Sequence, residues 1–123
     1  MQIRGACHCS AVSFTADIDP SRVVLCHCTD CQVMSGSAFR RVVLAPIDTL
    51  ALSGQTNVYA KVAESGNRPV QVFCPECGTP LYAMAPEHAT TVSIRVGCVG
   101  ERSRLRPAAQ IWARSAMPWL HEL

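Results

Sequence analysis

Seven of the eight cysteines in this 123-residue chain fall into three tight groups: Cys7 with Cys9, Cys26 with Cys28 and Cys31, and Cys74 with Cys77. Thiolates at such spacings are ready-made donors for Zn2+. The stretch Phe73-Cys74-Pro75-Glu76-Cys77-Gly78 has the form of a zinc knuckle. Its proline opens the turn, and Gly78 can take the positive φ that turns backbone N–H groups toward the sulfurs. On a strand, residues i and i+2 share a face, so a CxC pair would present both sulfurs together and send the intervening histidine away. Joining Cys7 and Cys9 to Cys74 and Cys77 makes four thiolates, a closed structural site that fastens the start of the chain to its middle. Cys26, Cys28 and Cys31 remain, three sulfurs without an obvious fourth ligand nearby. Three protein ligands and an open position describe a zinc that does chemistry, and sulfur surroundings suit a thiol as the incoming ligand.

Two other uses of the cysteines compete with this one. A disulfide framework is disfavoured because the chain opens Met1-Gln2-Ile3-Arg4-Gly5-Ala6-Cys7 without the apolar run of a secretory leader, and because CxC has poor geometry for a local bridge. The second alternative makes the Cys26, Cys28, Cys31 site structural too, completed by Cys98, His27 or His88. Otherwise His8 and His27 are expected to point away from the metals, His88 and His121 to be solvated, and Cys98 to be a small buried residue. Trp112 and Trp119 are expected to pack in the core or at an edge, and Ser35 to Ser37 to form the loop after the reactive site.

The elements that carry these residues read as short strands. Apolar residues alternate at Val12, Phe14, Ala16 and Ile18, and Asp19-Pro20 ends the run. Further strands are expected at Val23 to Leu25, Val42 to Leu44, Val58 to Val62, Val70 to Phe73, Leu81 to Met84 and Val92 to Val96. Turn signals separate them at Ala45-Pro46, Ser53-Gly54, Ser65 to Pro69, Cys77 to Pro80 and Ala85-Pro86. One helical turn fits Thr29 to Met34. The pattern is all-β, antiparallel, with short meander connections, and the length suits one domain over residues 1–123.

Hydrophobic residues make up 49% and charged residues 16%, which excludes a disordered chain. The formal charge of +2 is too small to imply a nucleic-acid partner, and seven thiolates with two Zn2+ ions would lower it by three, to −1. No apolar run is long enough for a membrane helix, so a cytoplasmic protein with reduced thiols is expected.

The order Gly5-Ala6-Cys7-His8-Cys9, Cys26-His27-Cys28-Thr29-Asp30-Cys31, Ser35-Gly36-Ser37-Ala38-Phe39, Phe73 to Tyr82, Ile111-Trp112 and Pro118-Trp119 resembles the glutathione-dependent formaldehyde-activating enzyme family, which includes centromere protein V. That resemblance implies a β-tent fold with two zinc ions per chain. Cys7, Cys9, Cys74 and Cys77 match the structural ligands, and Cys26, Cys28 and Cys31 match the catalytic ones. It also implies carbon-sulfur lyase chemistry on a glutathione adduct of formaldehyde or a related small electrophile. A zinc-stabilised binding module or glutathione carrier without turnover is the alternative. Glutathione carries carboxylates, for which Arg40, Arg41 and Arg95 are candidate partners, although Arg40 and Arg41 cannot share one face of a strand. Two positions depart from the family pattern. Gln110 stands where histidine is usual, and Gly97-Cys98-Val99-Gly100 replaces a glycine, threonine, leucine, aspartate run.

Overall fold

The structure, a computed structural model, describes residues 1–60, 62, 69–85 and 89–123. The expected turn residues Ser65, Gly66, Asn67, Arg68 and Pro86, as well as His88, lie outside the described residues. Two sheets form. The smaller has strand order β1 (Gln2–Ala6), β2 (Ser13–Asp17), β5 (Ala51–Ser53). The larger runs β10 (Ala109–Ile111), β3 (Val23–Cys26), β4 (Arg40–Pro46), β9 (Thr91–Arg95), β8 (Pro80–Met84), β7 (Val70–Phe73), β6 (Asn57–Ala60). Its β6 to β9 portion is the meander expected from the turn signals, and the fold is all-β. One helix, α1 (Thr29–Ser35), occupies the segment expected to make a helical turn.

The period of two decides what each face carries. In β2, Phe14 and Ala16 turn inward; in β9, Val92 and Ile94 do so; in β4, Val43 and Ala45. These residues join Ile3, Val23, Leu81, Val96, Val99 and Leu105 in one apolar cluster fed by both sheets. Each fully buried aliphatic side chain there contributes about 1.5–3 kcal/mol by leaving water. Gly5 pairs with Phe14 across β1 and β2, and the Phe14 ring fills the space where a Cβ on residue 5 would lie. That strand can approach its neighbour only because position 5 lacks a side chain.

The other parity places Arg40 and Val42 of β4, Ser93 and Arg95 of β9 and Gln71 of β7 on the opposite face of the larger sheet from this cluster. One departure from the expectation concerns the sheet itself. Strand β10 runs parallel to β3, pairing Ala109 with Val24 and Ile111 with Cys26, so the larger sheet is mixed rather than wholly antiparallel. The chain must cross over to add this edge, and three residues are too few for the crossing to show in the alternation of side chains. Trp112 and Trp119 are not in the core: both are about half exposed, and Arg114 lies 4.4 Å over the Trp112 ring.

Candidate metal centres and adjoining cleft

Neither CxC pair lies within a strand. Cys7 follows β1 and Cys9 sits in the tight turn before β2, where Ser10 adopts φ 68°. The sulfurs converge through turn geometry instead. The Cys7 N–H donates to Val12 O, the Ser10 N–H to Cys7 O, and the Val12 N–H to Cys7 Sγ at 3.2 Å. The knuckle between β7 and β8 faces this turn. Gly78 takes φ 76°, as expected, but its N–H donates to Cys74 O at 2.8 Å rather than to a sulfur. Thr79 links the two turns, accepting the His8 N–H at 3.0 Å while its hydroxyl lies 3.1 Å from Cys77 Sγ.

The four sulfurs of Cys7, Cys9, Cys74 and Cys77 lie within 4.8 Å of one another. Cys7 Sγ is 3.6 Å from Cys9 Sγ, and Cys9 Sγ is 3.8 Å from Cys74 Sγ. A tetrahedron with Zn–S bonds of about 2.3 Å has edges of about 3.8 Å, so the donor set fits a tetrahedral metal as it stands. The Thr79 hydroxyl, with the backbone N–H groups of Thr79 and Cys9, holds the Cys77 thiol down to about 5, which favours the thiolate that a metal needs. All eight cysteines are free thiols, and the disulfide alternative is not realised.

The second group is built where β3 meets α1. Cys26 ends β3, Cys28 is the helix N-cap with its sulfur accepting the Cys31 N–H at 3.3 Å, and Cys31 lies in the first turn. Their sulfurs also lie within 4.8 Å of one another, and no fourth ligand atom joins them among the described residues. Of the fourth ligands weighed above, Cys98 instead donates its thiol to Arg95 O at 3.1 Å. His27 is wholly buried, its Nε2 lying 2.7 Å from Gln110 Oε1 and its ring packing against Phe39. The Cys26 thiol is lowered to about 5, first by the bond it accepts from Cys31, with the Cys28 N–H and the Arg40 charge adding to it against burial. Cys31, donating that bond and partly buried, is pushed up.

A clasp that sequence reasoning missed fixes this group. Gln32 Nε2 donates to His27 O at 2.7 Å and to Ser115 O at 2.9 Å, tying the cysteine loop to the segment after β10. The His27 N–H adds a bond to Ile111 O. A glutamine in a short helix gives no sequence signal of such a role.

Beside this group opens a cleft of about 570 Å3, walled by Leu25, Ser35, Phe39, Arg40, Arg95 and Cys98 among others. Of Ser35 to Ser37, expected as a loop, Ser35 is the last residue of α1 and borders the cleft, whereas Gly36 caps the helix and neither it nor Ser37 lines the cleft. Cys98 is only partly buried, and burial pushes its thiol up to about 11. Arg40 and Arg41 diverge as strand alternation requires. Arg41 Nη1 is committed to Arg102 O and Leu105 O at 2.9 and 3.0 Å, whereas Arg40 lies with Arg95 against Gln71. His8 and His121 are exposed. Among the described residues, no helix is long and apolar enough to cross a membrane.

The family model described as glutathione-dependent formaldehyde-activating enzyme matches residues 2–115. An uncharacterised lyase of Schizosaccharomyces pombe is 27% identical over 81 residues, which cover 66% of this chain and 56% of that protein. The chain thus spans little more than half the length of that curated relative. A crystal structure of a Rhodobacter sphaeroides protein superposes with a TM-score of 0.66 at 16% identity, covering 87% of this chain and 98% of that one, a likeness of fold.

Proposed function

We propose, because this chain belongs to the glutathione-dependent formaldehyde-activating enzyme family, that it is a zinc-dependent carbon-sulfur lyase acting on a thiol adduct. Glutathione with formaldehyde, or a related small electrophile, is the proposed pair, and residues 1–123 form a single zinc-binding domain working in the cytoplasm. Cys7, Cys9, Cys74 and Cys77 hold a structural Zn2+; Cys26, Cys28 and Cys31 hold the reactive one. The observation that carries this reading is the contrast between the groups. One offers four sulfurs; the other offers three beside a cleft, with no fourth ligand atom among the described residues.

Zn2+ in the three-cysteine site would supply positive charge that favours the thiolate of an incoming thiol at neutral pH. The chain's own residues do the rest. The Cys28 cap and the Gln32 clasp fix the loop and first helical turn that carry the three sulfurs. Leu25 and Phe39 give that cleft part of an apolar wall against which a small electrophile can rest. In the synthetic direction the substrate sulfur bonds to the carbonyl carbon. The C=O π pair moves to oxygen, which takes up the proton that the thiol gave up, and the product is the S-hydroxymethyl hemithioacetal. The lyase direction breaks the same C–S bond.

Metal analysis with thiol titration tests the assignment. The reading expects two zinc ions per chain, only one of which responds to added glutathione, and loss of that one alone in Cys28→Ser. Two ions both inert to thiol would favour a zinc-stabilised binding module, and an unchanged zinc content in Cys28→Ser would overturn the three-cysteine site.

A further inference from the structure

Two arginines are buried on the face of the larger sheet turned away from the apolar core. Arg40 is 6% exposed and Arg95 9%, and neither is explained by the zinc sites alone. Burying a guanidinium is costly unless its charge and its donors are met. Their described hydrogen bonds end on neutral oxygens. Arg95 Nη2 donates to Gln71 Oε1 at 2.6 Å and its Nη1 to Ser93 Oγ at 3.2 Å, while Arg40 Nη1 reaches the same Gln71 Oε1 at 3.4 Å. Arg40 Nη2 is buried without a hydrogen-bond partner.

Three thiolates holding one Zn2+ would carry a formal −1 against the +2 of two guanidiniums, which would leave one positive charge unbalanced. Both arginines also line the cleft of about 570 Å3 and a smaller hollow of about 200 Å3 that Gln71 borders, so both residues adjoin space a ligand can enter. Gln71 Oε1 accepts from both arginines, which holds the two guanidiniums near one another with hydrogens to spare. Planar forks match a carboxylate, which can accept two parallel bonds. Arg95 is lowered to about 10, first by burial and then by the Arg40 charge, a like-charge strain that an anion would relieve.

We infer that Arg40 and Arg95, oriented by Gln71, form a carboxylate-binding subsite that selects, among thiols, those carrying a carboxylate. This inference rests on the reading of the three-cysteine group as a thiol site and assigns the residues that hold the carboxylate of its substrate. Arg41 also lines the cleft, but it lies on the other face of β4 and its Nη1 is spent on Arg102 O and Leu105 O.

The test is calorimetric titration of the zinc-loaded protein with matched ligands: glutathione, its dimethyl ester, S-methylglutathione, and the dimethyl ester of S-methylglutathione. The two S-methyl ligands have no free thiol. Glutathione is expected to bind at least about tenfold more tightly than its ester, as loss of a charge-assisted bond requires. In Arg95→Gln and Arg40→Gln that gap is expected to shrink to within about twofold. Should either variant lose zinc, Arg95→Lys, which keeps the charge and removes the fork, is expected to narrow the gap as well. Equal binding of glutathione and its ester, or an unchanged gap in every variant, would overturn the subsite and leave the thiol reading standing. If S-methylglutathione binds ten times better than its ester and a free thiol adds nothing, the subsite stands and the thiol reading fails. Absence of binding by all four ligands would sink both.

Discussion

His27 Nε2 and Gln110 Oε1 lie 2.7 Å apart, although 83 positions separate them in the chain. The amide oxygen can only accept, so Nε2 is the donor, and Nδ1 has no partner in its buried position. This contact, with the parallel pairing of Gln110 beside Leu25, fastens the C-terminal segment to the strand that delivers Cys26. Gln110→Ala would leave both ring nitrogens unmatched. It is expected to lower stability by about 1–3 kcal/mol in urea unfolding of the zinc-loaded protein. An unchanged midpoint would show that the contact contributes nothing.

Gln32 bridges His27 O and Ser115 O, so its removal should loosen the loop between Cys26 and Cys28 without touching the other cysteine group. Gln32→Leu is expected to weaken metal retention at the three-cysteine site by about 10- to 100-fold in chelator competition. The four-cysteine site should keep its affinity. Equal weakening at both would point to general destabilisation instead.

Thr79 bears on how readily protons displace metal from the four-cysteine site. Its hydroxyl helps hold the Cys77 thiol down to about 5, whereas Cys9 in the same group, against a backbone bond from Ala11, is pushed up to about 12 by burial and the neighbouring sulfurs, so raising Cys77 as well leaves a second ligand open to protonation. Thr79→Val removes the hydroxyl 3.1 Å from the sulfur, so the proton should compete at higher pH and the zinc-release midpoint should move upward. Chelator-monitored zinc release across a pH series checks this, and a downward or absent shift would contradict it.

At position 5 a methyl group would collide with the Phe14 ring, so Gly5→Ala is expected to cost about 1–3 kcal/mol. Phe14→Leu in the Gly5→Ala background, which trims the ring, should recover part of that loss. Thermal unfolding of the single and double variants measures the coupling, and strict additivity of the two losses would contradict it.

Much of this architecture is legible before any coordinates. Alternation at Val12, Phe14 and Ala16, or at Val92 and Ile94, follows from a strand with one buried face, and the corresponding strands form where that pattern stands. Strand β1 escapes notice because Arg4 and Gly5 interrupt its apolar residues, and the glycine is there for packing against Phe14 rather than for a turn. Strands β5 and β10 are three residues each, and pairing with β2 and β3 decides them more than their own sequence does. The cysteine groups assemble as their spacing suggests, but the sulfurs of Cys7 and Cys9 meet through a turn held by Val12 and Ser10, not through strand periodicity. Arg40 and Arg95 could be named as candidates from the sequence. Gln71, which orients them, could not, because a single glutamine on a strand looks like any solvent-facing residue until β7 and β9 are brought together.

The central claim is that the three-cysteine group turns over a thiol and an electrophile. It is tested most directly by 13C NMR of labelled formaldehyde mixed with glutathione and zinc-loaded protein. The account predicts that approach to S-hydroxymethylglutathione equilibrium is faster than in buffer, scales with protein concentration and returns to the buffer rate in Cys28→Ser. An identical rate with and without protein, or full activity in a Cys28→Ser variant, would contradict it.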